Sequence, residues 1–227
     1  MLSQPTCKSN ENRENLVNSL RNAVDEAKKE DPWDLGNNVL YDLCEKEREH
    51  KKEGAIFAKI WLIGRAYAAA IERRRTKEEN KEDNHEYYKK AIKQIKESEI
   101  DKWILDLSRI KGSNESCYTE IIETHQKVLK LFHDISGSNK RSLASKYLHF
   151  HLPERFYIYD SRAESAMKKF TPILEKKSRP SVKDSDPPYY KFVGHCLDLQ
   201  AFIEKNIENA PLTPRQIDRI LYFYTFI

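Results

Sequence analysis

The chain has 227 residues, 40 Lys and Arg against 36 Asp and Glu, a formal net charge of +4 and 33% charged residues. Mean hydropathy is −0.80, and no apolar run approaches the roughly 18 residues of a membrane span, so no membrane-spanning helix is expected. The length suits one large helical domain or two closely packed lobes with a real core, and the small net charge does not by itself establish a nucleic-acid partner.

In chain order, Glu11 to Lys29 reads as an amphipathic helix with Leu16, Val17, Leu20 and Val24 on one side, capping candidates at Ser9 and Asn10, and an end at the Asp31-Pro32-Trp33 turn. A second helix is expected from Asn37 or Asn38 through Val39, Leu40 and Leu43, and a third, strongly apolar one from Gly54 to Arg75, where Gly64, Ala66, Ala68, Ala69 and Ala70 permit close packing. Lys77 to Asn84 is a polar break. Helical patterns resume at Tyr87 to Glu97 and Lys102 to Ile110, stop at Lys111 to Ser116, and return at Tyr118 to His133. Arg162 to Leu174 and Tyr189 to Ile207 are helical, separated by an exposed loop at 175–188 with three prolines. Thr213, Pro214 and Gln216 mark a last helix start, with N-cap, first-turn proline and capping-box partner. No internal repeat and no alternating strand pattern occurs, so the fold class is all-α, a compact bundle or a two-lobed one. Trp33, Trp61 and Trp103 are expected in the core, and Tyr222, Phe223, Tyr224 and Phe226 to pack the terminal helix down.

Cys7, Cys44, Cys117 and Cys196 are scattered without a C-x-x-C pair, so neither a zinc site nor a disulfide framework is expected. Met1 to Asn18 lacks the apolar stretch of a secretory signal. The expectation is a cytoplasmic monomer with no metal, no cofactor and no membrane contact.

The segment 134–162 carries the chemistry. It places a basic turn, Ser136-Gly137-Ser138-Asn139-Lys140, before an amphipathic helix and a carboxylate, Asp160, after it. Stepping about 100° per residue gathers Leu143, Ala144, Tyr147, Leu148 and His151 into one arc of about 140°, and Lys140 falls near its middle. In the first turn of a helix its ammonium meets the positive end of the dipole, which favours the free amine that a nucleophile requires. Lys146 is the alternative amine; at the margin of the apolar face it is expected to snorkel to solvent. His149 and His151 diverge by roughly 200° and cannot easily share one metal ion.

At these residues the chain resembles the helix-hairpin-helix superfamily of DNA glycosylases, with a weaker echo in Leu212-Thr-Pro-Arg-Gln-Ile-Asp-Arg-Ile-Leu221. The match has departures: Gly137 stands alone where the family hairpin has two glycines, and Ile158 or Tyr159 replaces the proline common before the aspartate. The resemblance implies a helix-hairpin-helix element, Lys140 as the lysine of bifunctional members and Asp160 as the essential aspartate. It also implies removal of a damaged, mispaired or modified base from double-stranded DNA after the nucleotide is flipped out, with lyase activity if a lysine amine attacks and base release alone if water does. Gly137, Ser138, Asn139, Arg141 and the positive tip Arg73, Arg74 and Arg75 are candidates for the DNA backbone. Tyr157 and Tyr159 are candidates for a base pocket. The identity of the base, and whether the biology is repair or phage defence, stay open. The alternatives are a non-catalytic nucleic-acid-binding helical module and a helical protein-interaction domain.

Overall fold

The computed structural model describes residues 6–73, 83–207 and 212–224, with side chains from residue 14 onward. These residues form helices and no strand: α1 (Thr6–Lys28), α2 (Pro32–Lys46), α3 (Glu53–Ala66), α4 (Asn84–Glu97), α5 (Ile100–Arg109), α6 (Tyr118–Ser136), α7 (Arg141–His151), α8 (Ser161–Phe170), α9 (Pro187–Asn206) and α10 (Pro214–Phe223). The protein is all-α, and no helix among the described residues is long and apolar enough to cross a membrane.

Apolar side chains collect into two clusters. The first joins α1 to the last three helices through Leu20, Val24, Phe170, Tyr189, Phe202, Ile217 and Leu221. The second joins α2 to α7 through Ile56, Ile60, Ile95, Val128, Phe132, Tyr147 and Leu148. The first helix therefore belongs with the end of the chain, and α10 packs on α1 and α8. Helix α7 is enclosed: every residue from Leu143 to Phe150 is buried.

Several boundaries differ from expectation. Helix α2 begins at Pro32 rather than at Asn37, because Asp31 caps it: its carboxylate accepts from the Trp33 amide, and the Asp34 carboxylate accepts from the Asp31 amide at 2.8 Å. The same turn that ends α1 starts α2. Helix α3 stops at Ala66, not Arg75. The chain folds back on it, with Ala68 at φ 51° and the Ala69 amide on the Gly64 carbonyl at 2.8 Å. A Cβ at position 64 would lie 2.9 Å from the Ala70 Cα, so the return needs glycine there. Helix α1 starts at Thr6, which leaves Ser9 and Asn10 inside it rather than at its cap. The 175–188 stretch has no helix before Pro187, yet Arg179 pins it by ion pairs to Glu115 and Asp198, both at 2.8 Å. Trp33 is 75% exposed rather than core, Trp61 and Tyr222 are also exposed, and Phe226 lies outside the described residues.

Candidate functional site

Helix α6 ends on Gly137 in the left-handed region, φ 63°, where a residue without a Cβ is favoured. The turn is tied internally: the Ser138 amide donates to Ser136 Oγ at 3.4 Å and the Arg141 amide to Asn139 Oδ1 at 3.0 Å. Lys140 is the N-cap of α7, buried, and its Nζ donates to the Arg73 carbonyl.

The segment after α7 runs back along that helix. His149 Nδ1 donates to the Phe156 carbonyl at 2.8 Å, the Tyr159 amide donates to Ser145 Oγ at 3.0 Å, and Lys146 Nζ pairs with Asp160 Oδ2 at 3.2 Å. From the Phe156 pairing to those of Tyr159 and Asp160 the partner on α7 moves back from His149 to Ser145 and Lys146. Asp160 therefore comes to rest beside the middle of α7, and the lysine it meets is Lys146. Lys140 lies about 9 Å further along the helix axis, at 1.5 Å per residue.

Lys146 does not snorkel. It is 1% exposed, and its Nζ also donates to Ser142 Oγ at 2.9 Å and the Tyr67 carbonyl at 3.4 Å, above the Tyr67 ring. The margin of the apolar face is not a solvent margin, because α7 has neighbours on all sides. Asp160 is the N-cap of α8: its Oδ1 accepts from the Arg162 amide at 3.0 Å and the Ala163 amide at 2.9 Å. Burial works against its charge, but the Lys146 ammonium and those two amides outweigh it and hold the carboxyl below the usual range. The Asp160 side chain remains 37% exposed.

A second carboxylate stands close enough to be felt. Asp218 on α10 pairs with Arg215 at 2.6 Å. Burial pushes Asp218 up to about 6, with Arg215 pulling it down, the Asp160 charge raising it and Lys146 lowering it. Two tyrosines complete the cluster: Tyr67 donates from its hydroxyl to Asn37 Oδ1 at 2.7 Å, and the Tyr41 hydroxyl meets His149 Nε2 at 2.7 Å. Since His149 Nδ1 carries the proton given to Phe156, Nε2 accepts and Tyr41 donates. Burial raises both phenols, Tyr67 to about 12, so both stay protonated donors. The cluster sits at a seam where side chains of α10 approach those of α2 and α7. Arg219 bridges that seam loosely, 3.8 Å from Asp31 and 3.4 Å from Asp34.

Other expected site residues are engaged elsewhere. Arg141 makes a two-pronged ion pair with Asp186, its Nη2 at 2.6 Å, and lies over the Tyr159 ring. Its guanidinium is committed to α9 rather than open to a phosphate. Arg73 is exposed, and Arg74 and Arg75 lie outside the described residues. Tyr157 is 1% exposed, its hydroxyl on Gln200 at 2.7 Å, and Tyr159 is 7% exposed with its hydroxyl on Glu164 at 2.9 Å. Both rings are walls of the first cluster, buried by the extended lead into Asp160 with their hydroxyls engaged, and neither lines the two cavities described below. His149 is a packed hydrogen-bonding residue.

A cavity of about 1400 Å³ opens between α2, α5 and the end of α7, and Tyr41 and Arg215 reach its wall from the polar cluster. A smaller one of about 330 Å³ lies beside the turn at Asn139 and Asp186. Asn37, Tyr41, Tyr67, Arg215 and Asp218 were not singled out from the sequence as site residues, although Arg215 and Asp218 fall within the weaker echo at Leu212 to Leu221. Their one local signal is the capped start of α10, which puts Arg215 and Asp218 on its first turns. No protein-family model, curated protein or solved structure matches this chain.

Proposed function

We propose that the protein is a DNA glycosylase that hydrolyses the N-glycosidic bond of a damaged, mispaired or modified nucleotide flipped out of the duplex, with Asp160 and Asp218 as its working carboxylates. The observation that carries this reading is the Asp160–Lys146 pair: an ionised carboxylate, fixed by a buried ammonium and two helix amides, that keeps more than a third of its side chain open to solvent. Breaking the bond from C1′ to the base leaves the electron pair with the base and positive charge on the sugar. A preorganised anion at that place stabilises the charge as it develops.

The two carboxyls are pushed apart, one below the usual range and one to about 6. A depressed carboxyl is a poor proton acceptor and a good fixed anion, which suits Asp160 to the sugar. Asp218 is the better match for taking the proton of the attacking water, whose oxygen adds to C1′. Lys146 is enclosed behind Asp160 and held as its counter-ion, so the reading favours base release without lyase chemistry. Lys146 then acts as a positioning residue.

The test is incubation with duplex oligonucleotides carrying a panel of damaged or mispaired bases. Base release by the protein, lost in Asp160→Asn with the fold intact, supports the reading, and borohydride should trap no covalent adduct. Salt-dependent duplex binding with no release from any member of the panel would replace the enzyme by the non-catalytic binding module.

A further inference from the structure

Asn37 is buried, 7% exposed, and its amide is half used. Its oxygen accepts the Tyr67 hydroxyl at 2.7 Å, while Nδ2 has no hydrogen-bond partner. A buried amide nitrogen with both hydrogens unspent is costly, and a chain keeps such a group where something else completes it. The residue stands at the seam described above. Lys146 touches the backbone end of Tyr67 and lies 5.6 Å from its ring centroid, while Asn37 holds the hydroxyl end of the same side chain. One tyrosine side chain therefore links Asn37 to the Lys146–Asp160 pair. Along α2, Trp33, Asn37 and Tyr41 share one stripe at four-residue spacing, with Trp33 exposed at the outer end. The Arg219 pairs that bridge α10 to α2 there are long and partly solvated, so they add little to holding the seam.

We propose that Asn37 reads the extruded base by donating from Nδ2 to an exocyclic carbonyl oxygen, so that the substrate is an oxo base of guanine, hypoxanthine, uracil or thymine type. This rests on the glycosylase reading and adds the class of base to it. The bidentate pattern by which an asparagine recognises adenine needs its oxygen as acceptor for the exocyclic amine. Here Tyr67 occupies that oxygen. An exocyclic amine would face a donor, and a site that leaves a polar group unpaired rejects such a ligand strongly.

The experiment compares release of uracil, 8-oxoguanine, hypoxanthine and adenine, the last two each opposite cytosine, since hypoxanthine differs from adenine by the exchange of amine for oxygen. The wild-type protein is expected to release one or more of the oxo bases and not adenine. Asn37→Ala should slow that release by about 10- to 100-fold, with affinity for a duplex containing an abasic site unchanged because no base is present to be read. The double variant Asn37→Leu with Tyr67→Phe removes the amide together with the hydroxyl it accepts, leaving Arg215 its pair with Asp218, so it should unfold closer to wild type than Asn37→Ala while losing release to the same degree. Release at an unchanged rate and preference in both variants would overturn the role of Asn37 and leave the glycosylase reading standing. Preference for adenine, or loss of abasic-site binding along with release, would overturn it as well. No release of any base by the wild-type protein would remove both.

Discussion

Replacing Lys146 by Met keeps most of the side-chain volume and removes the charge that Asp160 is built around. Removing one member of a buried ion pair costs about 3–5 kcal/mol when the remaining charge is left uncompensated. Asp160 keeps the amides of Arg162 and Ala163, and its side chain is 37% exposed, so the cost is reduced to about 2 kcal/mol. For a chain of this size that corresponds to a fall in Tm of roughly 4–8 °C by calorimetry at pH 7. The sign of the pH dependence follows from the depressed carboxyl of Asp160. Its contribution is present above the ordinary aspartate value of about 3.9 and is lost as pH falls through the lower folded value, so the gap between wild type and Lys146→Met should be widest at neutral pH and close in acid. Lys140→Met removes the bond to the Arg73 carbonyl and leaves the Asp160 pair intact, so it should retain base release where Lys146→Met loses it. A Lys146→Met protein as stable as wild type, or a gap that does not narrow in acid, would show that the ammonium does not hold the carboxylate. Loss of release in Lys140→Met alone would return the chemistry to the turn.

Three further outcomes are expected. Gly64→Ala puts a methyl 2.9 Å from the Ala70 backbone, which cannot swing aside as a side-chain tip would, and should lower stability by about 1–3 kcal/mol in urea titration. With Asp218 at about 6, the rate of base release should rise as pH climbs through that value and the carboxyl ionises, and Asp218→Asn should abolish that inflection in the pH profile. Burial lowers His149 to about 4, with the hydrogen bond to Phe156 opposing, so the folded state holds it neutral. Stability present above about 6.5 is then lost as pH falls towards 4, by up to about 3 kcal/mol for this group, and calorimetric Tm values for His149→Gln should fall less steeply over that window than those of wild type.

Helix content was legible because apolar residues recur at helical spacing, and the sharpest periods among the described helices, in α5 and α10, survive as helices. What failed were boundaries decided by contacts between distant residues. Nothing local says that the chain after Ala66 turns back onto its own helix; that is fixed by Gly64 meeting Ala70. The Asp31-Pro32 signal was visible as a break, yet a capping aspartate followed by proline is equally a beginning, and Asp34 three residues on completes it.

The site was legible in its carboxylate and not in its partner. A wheel drawn for one helix ranks residues by direction from that helix alone, so Lys140 pointed inward and Lys146 pointed to a rim. Direction along the axis is what decided the pairing. His149 with Phe156, Ser145 with Tyr159 and Lys146 with Asp160 form an antiparallel series in which the two positions sum to nearly the same number, so a chain reversal after His151 selects the lysine 14 residues before the aspartate. The reversal itself is written in Leu152 to Arg155, where the Arg155 amide returns to the Leu152 carbonyl at 3.0 Å and Pro153 cannot continue the helix. With the chain reversed there, Lys146 rather than Lys140 stands opposite Asp160. Asn37, Tyr67 and Asp218 have no such signal, because the seam that gathers them joins helices from opposite ends of the chain.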